Sequence, residues 1–383
     1  MLQEELKKYD KALYGEWGRF NVIFVVKNDY YGIIDKNGNV ILPCNFPNYS
    51  DAYREWQQMG FPSEPQIMTE NQKQEKIYQQ ILVNQYNDMV NSGDIKNVSF
   101  GGNVINGAEF VTLPNGNVGI VASVITSGDE KLQVKNLDGS GAFNLKIIDS
   151  EDTAYFEICS DDNNLYVGTY NTYNAFVACY KMGDFSLQWK TQLPGSQIQS
   201  LTVTESELIA FDMGEKSIRY FDKNNGSEKV DKKNSTDRWN QILSSYDEQL
   251  LVGQSGFSFN EYLKFNNKLK VYDNKTNGYI SEKDIPINIG ELNGIAIDKK
   301  NKRTFLCLDN KIGIFDENGY LGMFFLPTSS VQSLNFNSEK GCLMVSMAPS
   351  AGKVEIFSPN AIETFIEASN QLNSYKSNVE KLK

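Results

Sequence analysis

The chain has 383 residues, with 37 basic against 48 acidic side chains for a formal net charge of -11, five cysteines and no histidine. Without histidine the one side chain that titrates near neutrality is missing, which excludes Ser-His-Asp and Cys-His catalysis and His-ligated zinc within this chain. The acidic balance opposes non-specific binding to nucleic acid or to anionic membranes, since both require a basic surface, and leaves protein or small-molecule partners.

From the N-terminus, Leu2, Leu6, Tyr9 and Leu13 recur at helical spacing and predict a short amphipathic helix. This segment lacks the apolar core of a signal peptide, and no stretch reaches the roughly 18 apolar residues of a membrane span, so the expectation is a cytoplasmic protein. Next, FNVIFVVKNDYYGIIDKNGNVILPCNF gives three runs of β-branched and aromatic residues, the last two joined by a hairpin signal at Lys36, Asn37 and Gly38. The stretch YYGIIDKNGNVILPCNF resembles one copy of the bacterial WG repeat, through Tyr31, Gly32, Ile34, Asp35, Gly38, Val40, Ile41 and Pro43. That resemblance covers about 20 residues and implies a β-hairpin interaction element with no assigned chemistry.

Pro47, Pro62 and Pro65 interrupt regular structure, after which Tyr78, Leu82, Tyr86 and Met89 share one face of a predicted helix over residues 66–92. Residues 98–359 then repeat. The strands KLQVKNLDGS, AFVACYKMGD, SIRYFDKNNGS, KLKVYDNKTNG, KIGIFDENGY and KVEIFSPNA place Leu132, Phe176, Ile218, Leu269, Ile312 and Val354 at equivalent positions, at a spacing typical of propeller blades. Upstream of each lie two more apolar runs, and a shorter one follows, so each unit reads as a four-stranded antiparallel meander. A single meander leaves its faces uncovered, and units of this kind pack face to face in a ring. The expected fold is therefore all-β: a six-bladed β-propeller, with the segment 97–105 giving the last blade its fourth strand. A seventh blade built from the WG-like hairpin is the alternative. The division is residues 1–96 as an N-terminal α/β extension, 97–359 as propeller and 360–383 as a C-terminal helix. In that helix Phe365, Leu372 and Val379, with Ala368, Tyr375 and Leu382, form a heptad seam expected to pack within the chain.

The five cysteines show no CxxC spacing, and three sit inside apolar strand-like runs, as buried thiols in a reducing compartment do. Turns that follow Asp222, Asp273 and Asp316, each closed by a glycine, lack the alternating acids of a calcium loop and read as turn structure. The segment ELNGIAIDKKNKRTFLCLDNKIGIFD resembles a blade of the calcium-dependent lactonases related to SMP-30 and gluconolactonase, with Leu292 where that family has proline. The resemblance implies Asn293 and Asp309 as metal ligands, with Glu109 on the first innermost strand as a third, and a lactone or ester hydrolase requiring calcium.

The leading expectation is instead a non-enzymatic protein-interaction module of a bacterial cytoplasmic assembly, without cofactor. Its contact surface is placed on the insertion GQSGFSFNEYLKFNN of the fourth repeat, where Phe257, Phe259, Tyr262 and Phe265 are the candidate partner-binding residues. The acidic surface favours a partner with a basic face.

Overall fold

The computed structural model describes residues 5–13, 22–59, 70–126, 129–145, 155–170, 175–235, 241–246, 249–254, 257–258, 264–265, 268–276, 278–284, 292–308, 311–316, 319–326, 331–347 and 352–381. The chain divides into two units, Met1–Ile77 and Tyr78–Lys383.

In the first unit, strands β1 (Lys11–Leu13), β2 (Val22–Lys27), β3 (Tyr30–Asp35) and β4 (Val40–Phe46) form an antiparallel meander in chain order. Helix α1 (Tyr49–Gln58) starts at Asn48, whose side chain accepts from the Asp51 N–H and satisfies a donor that the helix leaves open. Its Ala52 and Trp56 pack on Phe24, Ile33 and Leu42. Leu6 and Tyr9 lie against Ile23, Val25 and Ile34 on the other face. The expected N-terminal helix is corrected at its end: Glu5 and Leu6 are helical, whereas Lys11–Leu13 pairs with Phe24–Val26 as a strand. The 3–4 spacing of apolar residues did not decide the outcome, because the open edge of β2 offers these residues a backbone ladder. The β3–β4 turn is held by Asp35, whose Oδ1 accepts from the N–H groups of Asn37 and Asn39, while Gly38 takes φ +90°. Gly32 is needed for a different reason, since a Cβ there would stand 2.7 Å from Leu42 O.

Helix α2 (Glu70–Ser92), most of which belongs to the second unit, leads into β5 (Ile95–Ser99). The first sheet holds β6 (Asn103–Thr112), β7 (Val118–Thr126), β8 (Asp129–Asn136) and β9 (Phe143–Leu145), and the second β10 (Tyr155–Ser160), β11 (Asn164–Tyr170), β12 (Phe176–Lys181) and β13 (Leu187–Gln192). The third holds β14 (Ile198–Val203), β15 (Glu207–Asp212), β16 (Ser217–Asp222) and β17 (Asn234–Ser235). The fourth is β18 (Gln241–Tyr246), β19 (Gln249–Gln254), β22 (Lys268–Asp273) and β23 (Gly278–Asp284), with β20 (Phe257–Ser258) and β21 (Lys264–Phe265) as a separate hairpin. β24 (Leu292–Asp298), β25 (Arg303–Leu308), β26 (Lys311–Asp316) and β27 (Gly319–Phe325) form the fifth. The sixth combines β28 (Val331–Asn337), β29 (Cys342–Met347) and β30 (Lys353–Phe357) with β5.

The innermost strands touch in cyclic order, β6 to β10, β14, β18, β24, β28 and back to β6. This is a β-propeller, and its described residues form six four-stranded sheets. Closure comes from β5, whose Val98 pairs with Val354 and whose Ile95 pairs with Phe357. The expected repeat equivalence holds in detail: Ile218 and Ile312 are both second residues of third strands, paired to Phe211 and Cys307 of the strand before.

Packing follows from period two. Along β15, Leu208 and Ala210 face the second sheet, whereas Ile209 and Phe211 face the fourth. Sequential sheets therefore share apolar clusters all the way round, and the cluster between the sixth and first joins Val98, Val354 and Met344 to Phe110 and Ile120. Between the second and third, Trp189 donates through Nε1 to Lys223 O at 2.9 Å and lies over Gly226, where a Cβ would approach its ring to 2.3 Å. Cys159, Cys179 and Cys307 are buried in these layers.

Helix α3, from Pro359 to Lys381, packs Ile362, Phe365 and Ile366 into one cluster with Leu82 and Tyr86 of α2 and with Phe305, Ile312 and Leu343 of the fifth and sixth sheets. The seam is thus occupied within the chain at Phe365 and Ala368. Phe365 is fully buried, so Phe365→Ala is expected to lower stability by about 3–5 kcal/mol in urea unfolding, the loss usual for emptying an aromatic core position. A change below about 1 kcal/mol would show that the helix does not hold the last two sheets.

Candidate functional site

Innermost strands of a propeller pair on one side only, so their other edges and alternate side chains line the axis. Here they enclose a channel of about 680 Å³. All six strands contribute, through Glu109 of β6, Cys159 of β10, Thr202 of β14, Ser245 of β18, Asn293 of β24 and Asn335 of β28.

Hydrogen bonds tie neighbouring innermost strands together at three joins of this wall. Thr202 Oγ1 donates to Ser245 Oγ at 3.0 Å, Ser245 Oγ donates to Val203 O at 2.7 Å, and the Leu243 N–H donates to Ser200 Oγ at 3.0 Å. Ser160 Oγ donates to Phe110 O at 3.3 Å. Across the join between the last and first sheets, Asn335 Nδ2 donates to Glu109 Oε2 at 2.8 Å, while Glu109 Oε1 accepts from the Phe110 N–H at 3.0 Å.

Glu109 is 5% exposed. Burial pushes its carboxyl up to about 8, although donors on Phe110, Ser160 and Asn335 pull the other way, so it is mainly protonated at neutral pH. Burial also raises the neighbouring Cys159 thiol well above its usual value, with the nearby Glu109 and Asp161 adding to the effect. The wall thus presents a neutral acid and a neutral thiol among amide and hydroxyl groups, and Glu157 and Lys299 also line it.

The expected metal ligands are placed as follows. Glu109 and Asn293 line the same channel, on the first and fifth sheets, while Asp309 lies outside the described residues. Calcium favours a set of about six to eight oxygen donors with ionised carboxylates. Glu109 does not fit that role as placed, because its carboxyl is desolvated and Asn335 aims an N–H donor at it. Among the described residues no group of three His, Cys, Asp or Glu is arranged to hold a metal.

The expected partner-binding residues fall on the insertion between the second and third strands of the fourth sheet. Phe257 and Phe265 are paired opposite each other on β20 and β21, and Phe259 and Tyr262 lie outside the described residues. In an antiparallel meander the second-to-third connection lies at the same end as the start of the first strand. The hairpin therefore stands at the channel end where β24 begins with Leu292 and Asn293.

Asn335 was not singled out by sequence reasoning. Its signal was present: Ile198 to Val203, Leu292 to Ile297 and Val331 to Phe336 share a register shift after their first residue, which places Asn335 where Thr202 and Ala296 stand.

The strands define the class, a β-propeller. No family model matches the sequence, and no curated protein is similar to it. A chain in a solved structure titled Crystal Structure of Mitotic Checkpoint Complex is similar at 11% identity and a TM-score of 0.49, over 69% of this chain and 90% of that one. Among the described residues no helix is long and apolar enough to cross a membrane.

Because the folded protein holds the Glu109 proton to about 8 and the unfolded chain releases it near 4.5, the stability that protonated Glu109 supplies is full at low pH and is lost as pH rises through the folded value. Wild type is expected to lose roughly 4 kcal/mol between pH 5 and 9 relative to Glu109→Gln, measured by urea unfolding across pH. Parallel pH profiles for the two proteins would show that the carboxyl is ionised in the fold.

Proposed function

We propose that this chain is a non-enzymatic protein-interaction module of a bacterial cytoplasmic assembly, acting as a subunit, adaptor, or inhibitor or immunity partner of an effector, toxin or defence system. The propeller fold fits an interaction module. The observation that carries the proposal is the β20–β21 hairpin, an inserted element with its own strand pairing on a second-to-third connection. Loops on a rigid ring concentrate binding function, and aromatic anchors dominate interface energetics. The insertion supplies Phe257, Phe259, Tyr262 and Phe265 within nine residues of chain, and the net charge of -11 favours a basic partner. No cofactor is needed for this role. We read Tyr30–Phe46 in the first unit as a WG-type hairpin, a further interaction element, on the strength of its turn and of Gly32.

The test is a quantitative pull-down of whatever copurifies from the native host, at two salt concentrations. Replacing Phe257 and Tyr262 by alanine is expected to cost more than about 2 kcal/mol of affinity at unchanged melting temperature. Binding of the wild type is expected to weaken as salt rises, because rim charges are screened over about 8–10 Å. Unaltered binding by the double variant places the interface elsewhere, and a lowered melting temperature assigns these aromatics to the core.

A calcium-dependent lactone or ester hydrolase is the second reading, supported by Asn293 on the channel wall and opposed by Glu109, which as placed does not fit a calcium ligand. Calcium titration by calorimetry separates the two. A saturable site that disappears in Asn293→Ala supports the hydrolase, and no saturable heat removes it.

A further inference from the structure

Among the described residues seven charged side chains are buried, six of them carboxylates, and three of the six pair with a basic side chain. Asp212 pairs with Arg219 at 3.0 Å, Glu207 with Lys229 at 2.7 Å and Lys232 at 2.8 Å, and Glu355 with Lys353 at 2.7 Å. Asp35 accepts from the backbone of Asn37 and Asn39, and Asp298 from Asn301 in the same manner. Glu109, like Asp35 and Asp298, has hydrogen-bond donors and no cation, but of these three carboxyls it is the one that lines the central channel. It accepts from the Phe110 N–H, from Asn335 Nδ2 and from Ser160, no cation pairs with it among the described residues, and it lies on the wall of a channel large enough for a ligand. Desolvating a carboxyl without a counter-charge is costly, and proteins retain such groups chiefly where they act on something.

We propose that the central channel binds a small organic cation, an ammonium or guanidinium group, with the Glu109 carboxyl as its counter-charge. The remaining lining fits the role, since Ser, Thr, Asn and Gln side chains and strand edges offer acceptors for N–H donors. Of the titratable groups on the elements around Glu109, β10 contributes Tyr155, Glu157 and Cys159, with Asp161 just beyond that strand, and β7 and β28 contribute none. Among the described residues the one basic side chain on the wall is Lys299, exposed past the end of β24. Binding exchanges one proton: the O–H bond of the Glu109 acid breaks, the proton passes to solvent, and the carboxylate pairs with the incoming cation. The group can come from a free amine or from a Lys or Arg side chain of a partner. The inference stands independently of the hairpin as a docking element.

The experiment is calorimetric titration of the full chain with n-butylamine, N-acetyl-lysine amide, N-acetyl-arginine amide and a basic dodecapeptide, with n-butanol as neutral control. Two buffers of different ionisation enthalpy, neither an amine, report proton exchange. Saturable binding at pH 7 is expected to release about 0.9 proton and to weaken nearly tenfold on going to pH 6. In Glu109→Gln the affinity is expected to fall at least tenfold and the proton release to vanish. Saturation by the free amines assigns a small-molecule ligand, and saturation by the peptide alone assigns a partner side chain; either supports the proposal. No saturable heat with any cation, equal binding of n-butanol, or binding without proton release by wild type overturns it. The last criterion uses wild type alone and decides the matter if the variant does not fold.

Discussion

Each four-stranded sheet of the second unit carries apolar residues on both faces, and that constraint dictates the rest of the molecule. Leu208 and Ala210 on one side of β15, and Ile209 and Phe211 on the other, cannot all be covered by a single neighbour. A linear stack would leave two apolar faces in water, and at roughly 25 cal/mol per Å² of exposed apolar surface the ring is the favourable solution. The channel is a by-product of this arrangement. Six first strands converge on an axis because their sheets pack face to face, and what lines the axis is whatever those strands place on their inner edges.

Much of this architecture was legible because a repeat is a statement about packing. Ile218 and Ile312 could be matched by eye, since both sit second in strands that end in an aspartate turn, and both are buried against the strand before. The N-terminal strand β1 was not legible. Leu6 and Tyr9 satisfy helical spacing and also pack on a sheet face, so periodicity alone could not separate the two outcomes. The site was only half legible. Glu109 and Asn293 were reached through a resemblance, and both line the channel, whereas the contact that governs Glu109 joins it to Asn335, 226 residues away. A pairing of that kind depends on which strand closes against which, information that no local motif carries.

Buried charge is handled differently in the blades and at the axis. Arg219 makes a two-point contact with Glu228, at 2.8 and 2.6 Å, and also reaches Asp212 and Ser196, fixing the turns of the third sheet. Glu207 holds Lys229 and Lys232 beside Asn274 Nδ2, tying the third sheet to a turn of the fourth. These are closed networks in which each charge meets its opposite. At the axis the hydroxyl and amide groups of neighbouring strands meet one another, and the one buried acid is left neutral instead of paired. A ring whose inner wall is held mainly by uncharged contacts keeps its geometry over a wide range of salt, because screening acts on charges.

The pairing of β5 with β30 also sets an order of events during synthesis. Lys353 and Asn97, which meet in the closed sheet, are 256 residues apart in the chain. At about 5–20 residues per second, β5 leaves the ribosome roughly 13–50 s before its partner strand exists. Throughout that interval Val98 and Phe100 have nothing of the sixth sheet to pack against, and β5 is an unpaired strand able to join a foreign edge. Synthesis of β30 is therefore the step that withdraws β5 from circulation, and until then the edge of β5 stays open to foreign strands.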